Sequence, residues 1–171
     1  MKVLILGNGG SGKSYLAKCL AKKIACDPIH LDRLYWKQQW QHASIEEWES
    51  ALHFHLQQSS WIMEGTPMRD LQLRISHANI IIFLDTPRYL CTLRILKKGI
   101  SSLKRHSSNS DDGCPVQGIS LKTIRWIWSY PRKIKPQILP HFIAGKKNKN
   151  EIFYLKNKKE VMNFIKNFTV S

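Results

Sequence analysis

The chain has 171 residues, enough for one domain whose core buries ~70% of its extended surface without disulfide staples. Hydrophobic residues make up 43% and charged residues 23%, and no apolar run is long enough to cross a membrane, so a membrane-spanning chain is excluded. Lysine and arginine number 27 against 12 aspartates and glutamates, and the surplus is lopsided: residues 1–85 carry 9 basic and 8 acidic side chains, residues 86–171 carry 18 and 4. A half with that excess attracts polyanions such as nucleotides, nucleic acid or anionic lipid.

The apolar run Val3-Leu4-Ile5-Leu6 is too short for a secretion signal and ends at Gly7. Cys19, Cys26, Cys91 and Cys114 form no C-x-x-C pair, so a reduced, cytoplasmic protein without structural zinc is expected.

Residues 2–6 read as a buried strand, followed by a glycine-rich turn over 7–12 and a helix over about 13–25 with Leu16, Leu20 and Ile24 on one face. Residues 28–31 suggest a second strand ending at Asp32. Ser44 and Glu47 form a capping box for a helix with Ile45, Trp48, Leu52 and Leu56 on one side. Trp61-Ile62-Met63 is a third strand, ending at Glu64-Gly65, and residues 80–84 are apolar on both faces, as in a covered parallel sheet. Thr86-Pro87 opens another helix, continued by Leu90, Leu93 and Leu96. Residues 99–118, rich in Gly, Ser, Asn and Asp, are expected to form a mobile lid loop. A helix from about Ser120 is expected to stop at Pro131, and Pro136 and Pro140 to bracket an irregular segment. Residues 152–155 form a last strand, and Asn157 and Glu160 cap a final helix carrying Val161, Phe164, Ile165 and Phe168. Strands alternating with helices predict a parallel sheet with right-handed crossovers and helices on both faces.

Gly7-Asn8-Gly9-Gly10-Ser11-Gly12-Lys13-Ser14 matches G-x-x-x-x-G-K-[ST], with a strand before it and a helix, starting into Tyr15, after it. Glycines let the backbone curl until its amides face phosphate oxygens, and the helix N-terminus adds partial positive charge. Lys13 supplies a cation for the outer phosphates, and the Ser14 hydroxyl is placed to ligate Mg²⁺. ATP and Mg²⁺ are therefore the expected ligands. A metal-supporting acid belongs at the end of a neighbouring strand, where Glu64 and Asp85 are the candidates. In the kinase branch of this architecture the third strand in sequence adjoins the cradle strand, which favours Glu64.

Asp32 is placed to accept an acceptor hydroxyl proton at the crevice above the strand ends, or else caps a turn. Arg94, Lys98, Arg125 and Arg132 flank the expected lid and could neutralise a transferring phosphoryl group. Three features read better as structure. Asn157-Lys158-Lys159-Glu160 nearly copies the guanine-reading N-K-x-D, but ends on Glu and makes a good helix cap. Trp126 and Trp128 suit a core or dimer contact more than base stacking. The seven histidines show no metal-binding spacing.

Several blocks in order resemble the adenylate-kinase-like P-loop proteins known as DNA topology modulation proteins. They are Gly7 to Ser14; His30-Leu31-Asp32-Arg33-Leu34-Tyr35-Trp36 with Trp40; Trp61 to Gly65; Ile82 to Arg88 with Arg94; Gly113-Cys114-Pro115; and Trp126 to Arg132. The resemblance spans about residues 2–135. It implies a three-layer α/β P-loop fold of the nucleoside and nucleotide kinase type, with parallel sheet order 2-3-1-4-5 and a lid insertion, binding ATP and Mg²⁺. It gives Glu64 the metal-supporting position, where the family has Asp. It matches Arg94 to the arginine that starts the lid and packs on adenine, and Arg132 to a lid arginine facing the phosphates. Related kinases grip the acceptor phosphate with an arginine after the proline here numbered 67; Met68 intervenes, so Arg69 is the nearest match and Arg74 the alternative.

The expected function is transfer of the γ-phosphoryl of ATP·Mg²⁺ to a nucleotide or another small acceptor held near Asp32 and Arg69. The alternatives are an ATP-dependent nucleic-acid-associated protein using the basic half, and a polynucleotide end kinase.

Overall fold

The computed structural model describes residues 1–35, 43–65, 67–105, 120–147 and 150–169. Trp36, Trp40 and Gly113-Cys114-Pro115 lie outside them. Five parallel strands form one sheet in the order β2-β3-β1-β4-β5. They are β1 (Lys2–Gly7), β2 (Pro28–His30), β3 (Trp61–Glu64), β4 (Ile80–Leu84) and β5 (Glu151–Leu155). This is the expected order.

Successive strand residues point to opposite faces, and the chain uses both. Leu4 and Leu6 of β1, Trp61 and Met63 of β3, and Ile81 and Phe83 of β4 enter one core. That core is closed by Trp48, Leu52 and Leu56 of α3 (Ile45–Gln57), Leu71 and Ile75 of α4 (Leu71–His77), Tyr130 of α6 (Leu121–Lys133) and Ile138 of α7 (Lys135–Lys147). Val3, Ile5, Ile62, Ile80 and Ile82 face the other core. It is closed by Leu16, Ala17 and Leu20 of α1 (Lys13–Ile24) and by the partly buried Val161, Phe164 and Ile165 of α8 (Lys158–Asn167). A strand buried on both faces needs apolar side chains at every position, which is why β1 and β4 read as unbroken hydrophobic runs.

The capping box at Ser44 forms: its hydroxyl accepts from the Glu47 amide at 3.1 Å, and Glu47 accepts from the Ser44 amide at 2.8 Å. Asn157 caps α8 by accepting from the Glu160 amide at 3.0 Å, so the near-copy of a guanine motif is a helix cap.

Four expectations give way. The helix α5 (Arg88–Arg105) continues past residue 98, so 99–105 are helical where a loop was expected; the residues 99–105 include no proline to stop it. The rest of the expected lid, 106–118, lies outside the described residues. Pro131 lies inside α6, and Pro136 and Pro140 lie inside α7 instead of bracketing a loop. Pro136 stands in the first turn, where no amide partner is lost, and burial of Ile134 and Ile138 against the sheet favours the helix beyond it. Two short helices, α2 (Leu31–Tyr35) and α4, were not anticipated. No helix among the described residues is long and apolar enough to cross a membrane.

Candidate active site

β1 delivers the chain at Gly7 into a loop whose backbone only glycine adopts easily: Gly7, Gly10 and Gly12 have φ of 149°, 75° and 105°. The loop is braced from outside. The Arg94 guanidinium donates to the carbonyls of Ser11 at 2.9 Å and Gly10 at 3.3 Å, and the Thr86 hydroxyl donates to Ser11 at 3.1 Å. A peptide's N–H points opposite to its C=O, so holding the Ser11 carbonyl outward turns the Gly12 amide inward. Lys13 is buried and its Nζ donates to the carbonyls of Gly7 and Asn8, both at 3.0 Å. The first turn of α1 has neither a side-chain cap nor an acidic residue. Its amides and dipole therefore face the loop uncompensated, the condition under which a helix N-terminus takes an anion. The Ser11 hydroxyl is buried and has no hydrogen-bond partner among the described residues, a further donor for an anionic oxygen.

A methyl group on Gly10 would come within 2.5 Å of the Cys91 carbonyl. Gly10→Ala is therefore expected to cost ~1–3 kcal/mol in urea unfolding, because backbone, not a flexible side chain, must move.

β3 lies next to β1, and Glu64 at its end is buried beside the cradle. The Ser14 hydroxyl donates to Glu64 Oε1 at 2.8 Å, and His30 Nδ1 lies 2.6 Å from the same oxygen. A hydroxyl and a carboxylate, both hard oxygen donors at the mouth of a phosphate loop, suit Mg²⁺. Asp85, the rival candidate, is engaged elsewhere: its Oδ2 accepts from Lys135 at 2.7 Å and from the Tyr154 hydroxyl at 2.6 Å, tying β4 to α7 and β5. His30 was not singled out from the sequence. One histidine among seven carries no signal until the sheet brings β2 and β3 together.

Asp32 stands in the first turn of α2, two residues beyond β2 rather than at its end. Solvent reaches it, yet the protein packed around it raises its carboxyl pKa above the ordinary value. Lys13, His30 and Arg74 oppose that rise and the Glu64 carboxylate adds to it. Gly65, at φ 136°, allows the approach: a methyl group there would meet Asp32 Oδ1 at 3.4 Å and the Leu31 Cβ at 3.0 Å.

The two acceptor-side arginines part company. Arg69 is exposed; among the described residues its ion-pair contacts are long, 3.7 Å to Asp70 and 3.9 Å to Glu49. Arg74 is fully buried; its Nη2 donates to the carbonyls of Pro67 and Arg69, while Nε and Nη1 have no hydrogen-bond partner among the described residues. It braces from below the loop that presents Arg69. Desolvation lowers its pKa to about 10, against the pull of Asp70 and Asp32, so it stays charged at neutral pH.

Tyr15 is exposed beside the cradle, and Arg132 is exposed in the last turn of α6. Trp126 and Trp128 are 42% and 44% exposed, so of the two expectations, core or dimer contact, the core one gives way; Ile127 and Tyr130 fill the core from the same helix. Trp128 carries the Arg88 guanidinium 4.5 Å above its ring, and Trp126 packs edge-on to Tyr130.

No family model and no curated protein matches the chain. Solved structures do. A shikimate kinase from Acinetobacter baumannii in complex with shikimate is similar with a TM-score of 0.58 at 11% identity, over 96% of this chain and 88% of that one. A protein of Chloroflexus aurantiacus assigned as a kinase gives 0.55 at 16% identity, over 96% and 94%. A shikimate kinase from Bacteroides thetaiotaomicron gives 0.52 at 15%, over 97% and 94%. The narrower resemblance to DNA topology modulation proteins rests on sequence blocks alone. What these likenesses establish, together with the sheet order, is a P-loop kinase fold.

Proposed function

We propose that the chain transfers the γ-phosphoryl group of ATP to a small acceptor. The observation that carries this is the uncapped N-terminus of α1 behind a glycine loop, with Lys13 inside it and the Ser14–Glu64 pair at the adjoining strand end. The amides from Gly7 to Ser14 and the Lys13 ammonium hold the phosphates. Tyr15 borders the nucleotide, and Arg94 keeps the loop in shape from behind. Mg²⁺ would be held by the Ser14 hydroxyl and, through water, by Glu64; when bound it neutralises charge on the phosphate oxygens.

The acceptor hydroxyl is placed by Asp32, with Arg69 reading an anionic group on the same molecule. Its oxygen bonds to the γ-phosphorus, the bond from that phosphorus to the β,γ-bridging oxygen breaks, ADP leaves, and the hydroxyl proton passes to Asp32. A carboxylate whose pKa is raised is the better proton acceptor. Arg132 is the lid cation for the developing charge.

ADP release should be measured with ATP·Mg²⁺ and a panel of shikimate, nucleosides, nucleoside monophosphates and 5′-hydroxyl DNA. At least one should be phosphorylated, and Asp32→Asn should lower kcat on it ~10²–10⁴-fold with ATP affinity unchanged. No turnover with any of these acceptors, or full activity in Asp32→Asn, would count against the reading.

A second reading has its own observation. The helices α5, α6 and α7 contain no acidic residue, and α6 exposes two tryptophans among Lys122, Arg125 and Arg132. Cations interleaved with aromatics suit nucleic acid, as in a DNA-topology-modulating protein or a polynucleotide end kinase. Activity confined to the 5′-hydroxyl DNA arm would favour it.

A further inference from the structure

Asn8 occupies a position of the glycine loop where the phosphate-binding motif demands no particular side chain, yet it is buried to 3% exposure. Its Nδ2 donates to the Ile127 carbonyl at 3.0 Å, across 119 residues of sequence. In an uninterrupted α-helix that carbonyl would accept from the amide of residue 131. Residue 131 is proline and has no N–H, so α6 leaves this carbonyl without its regular partner. The neighbouring contact is equally close: a methyl group on Gly9 would meet the Trp126 ring at 3.1 Å and Ile127 at 3.6 Å.

We infer that Asn8 latches α6 to the phosphate cradle through the carbonyl that Pro131 frees, so that the order of this helix and the shape of the loop rise and fall together. Asn8 is a positioning residue. It touches no reacting atom, but it holds the loop backbone against the helix that carries Arg125 and Arg132. Coupling of this kind is reciprocal: a ligand that fixes the loop orders α6, and releasing α6 weakens the ligand. This second half rests on the nucleotide-binding reading above; the latch itself does not.

Hydrogen exchange followed by mass spectrometry on the full chain, with and without Mg²⁺ and a non-hydrolysable ATP analogue, tests both halves. Without ligand, Asn8→Ala should speed exchange over residues 121–133 by about tenfold while β1 is unchanged. Asn8→Asp, of the same shape but with no donor, should do the same and replaces Asn8→Ala if that variant does not fold. Pro131→Ala returns an amide to the Ile127 carbonyl, so in that background Asn8→Ala should change exchange by less than about threefold. Equal effects in the two backgrounds, or no effect of Asn8→Ala on 121–133, would overturn the latch. With analogue, wild type should gain protection over 121–133, and Asn8→Ala, saturated at a higher analogue concentration because it binds more weakly, should not pass protection on. Binding that protects α6 equally in both proteins would overturn the coupling. An analogue that fails to bind wild type would instead sink the nucleotide reading, leaving the ligand-free comparison to judge the latch.

Discussion

Lys13→Ala is expected to abolish ADP release, lowering turnover by about a thousandfold or more, because it removes a preorganised charge from inside the phosphate loop. The same substitution leaves the Gly7 and Asn8 carbonyls without the donor that now sits 3.0 Å from each, which should cost only ~1–3 kcal/mol in urea unfolding. The two readouts separate a damaged fold from a damaged site. Turnover near the wild-type rate in a folded Lys13→Ala protein would refute the mechanism.

Arg74→Ala should have the largest effect on stability, ~3–5 kcal/mol by urea denaturation, since it hollows a fully buried site and strands the carbonyls of Pro67 and Arg69. Arg74→Met should cost much less, because it keeps the volume and removes a charge that the interior solvates poorly. The pH dependence carries the sign of that charge. The folded-state pKa lies at about 10, below that of a guanidinium in water, so the burial penalty is in full force below pH 10 and is relieved as pH climbs towards the unfolded value. Wild type should therefore gain stability relative to Arg74→Met above pH 10. A flat difference between the two across that window would show that Arg74 is better paired than its geometry indicates.

The parts of this molecule legible in its sequence are those governed by local rules. The strand–loop–helix of the cradle follows from Val3 to Ser14, the Ser44 capping box from its own four residues, and the buried strand β4 from five consecutive apolar side chains. The strand order, carried by the kinase resemblance, already favoured Glu64 over Asp85, and the structure puts Glu64 against Ser14 and Asp85 against Lys135 and Tyr154. What stayed hidden depends on tertiary packing. Nothing local distinguishes Arg74, buried beneath a loop, from Arg69, exposed on it. Pro131 reads as a helix end, and Pro136 and Pro140 as the bounds of an irregular segment, because the contacts that hold α6 and α7 come from other elements. The aromatic run at Trp126–Tyr130 suggests a core or a dimer contact without separating the two; Ile127 and Tyr130 point inward, and the tryptophans flank them on the helix surface.

Three segments distant in the chain meet at one carboxylate oxygen: Ser14 from α1, His30 from β2 and Glu64 from β3. None of these neighbours exists until the strands around β3 have zipped, so no early folding intermediate lacking that half of the sheet can hold the site. A molecule that binds there acts as a clasp on the whole assembly, its binding energy added to the work of pulling the strands apart.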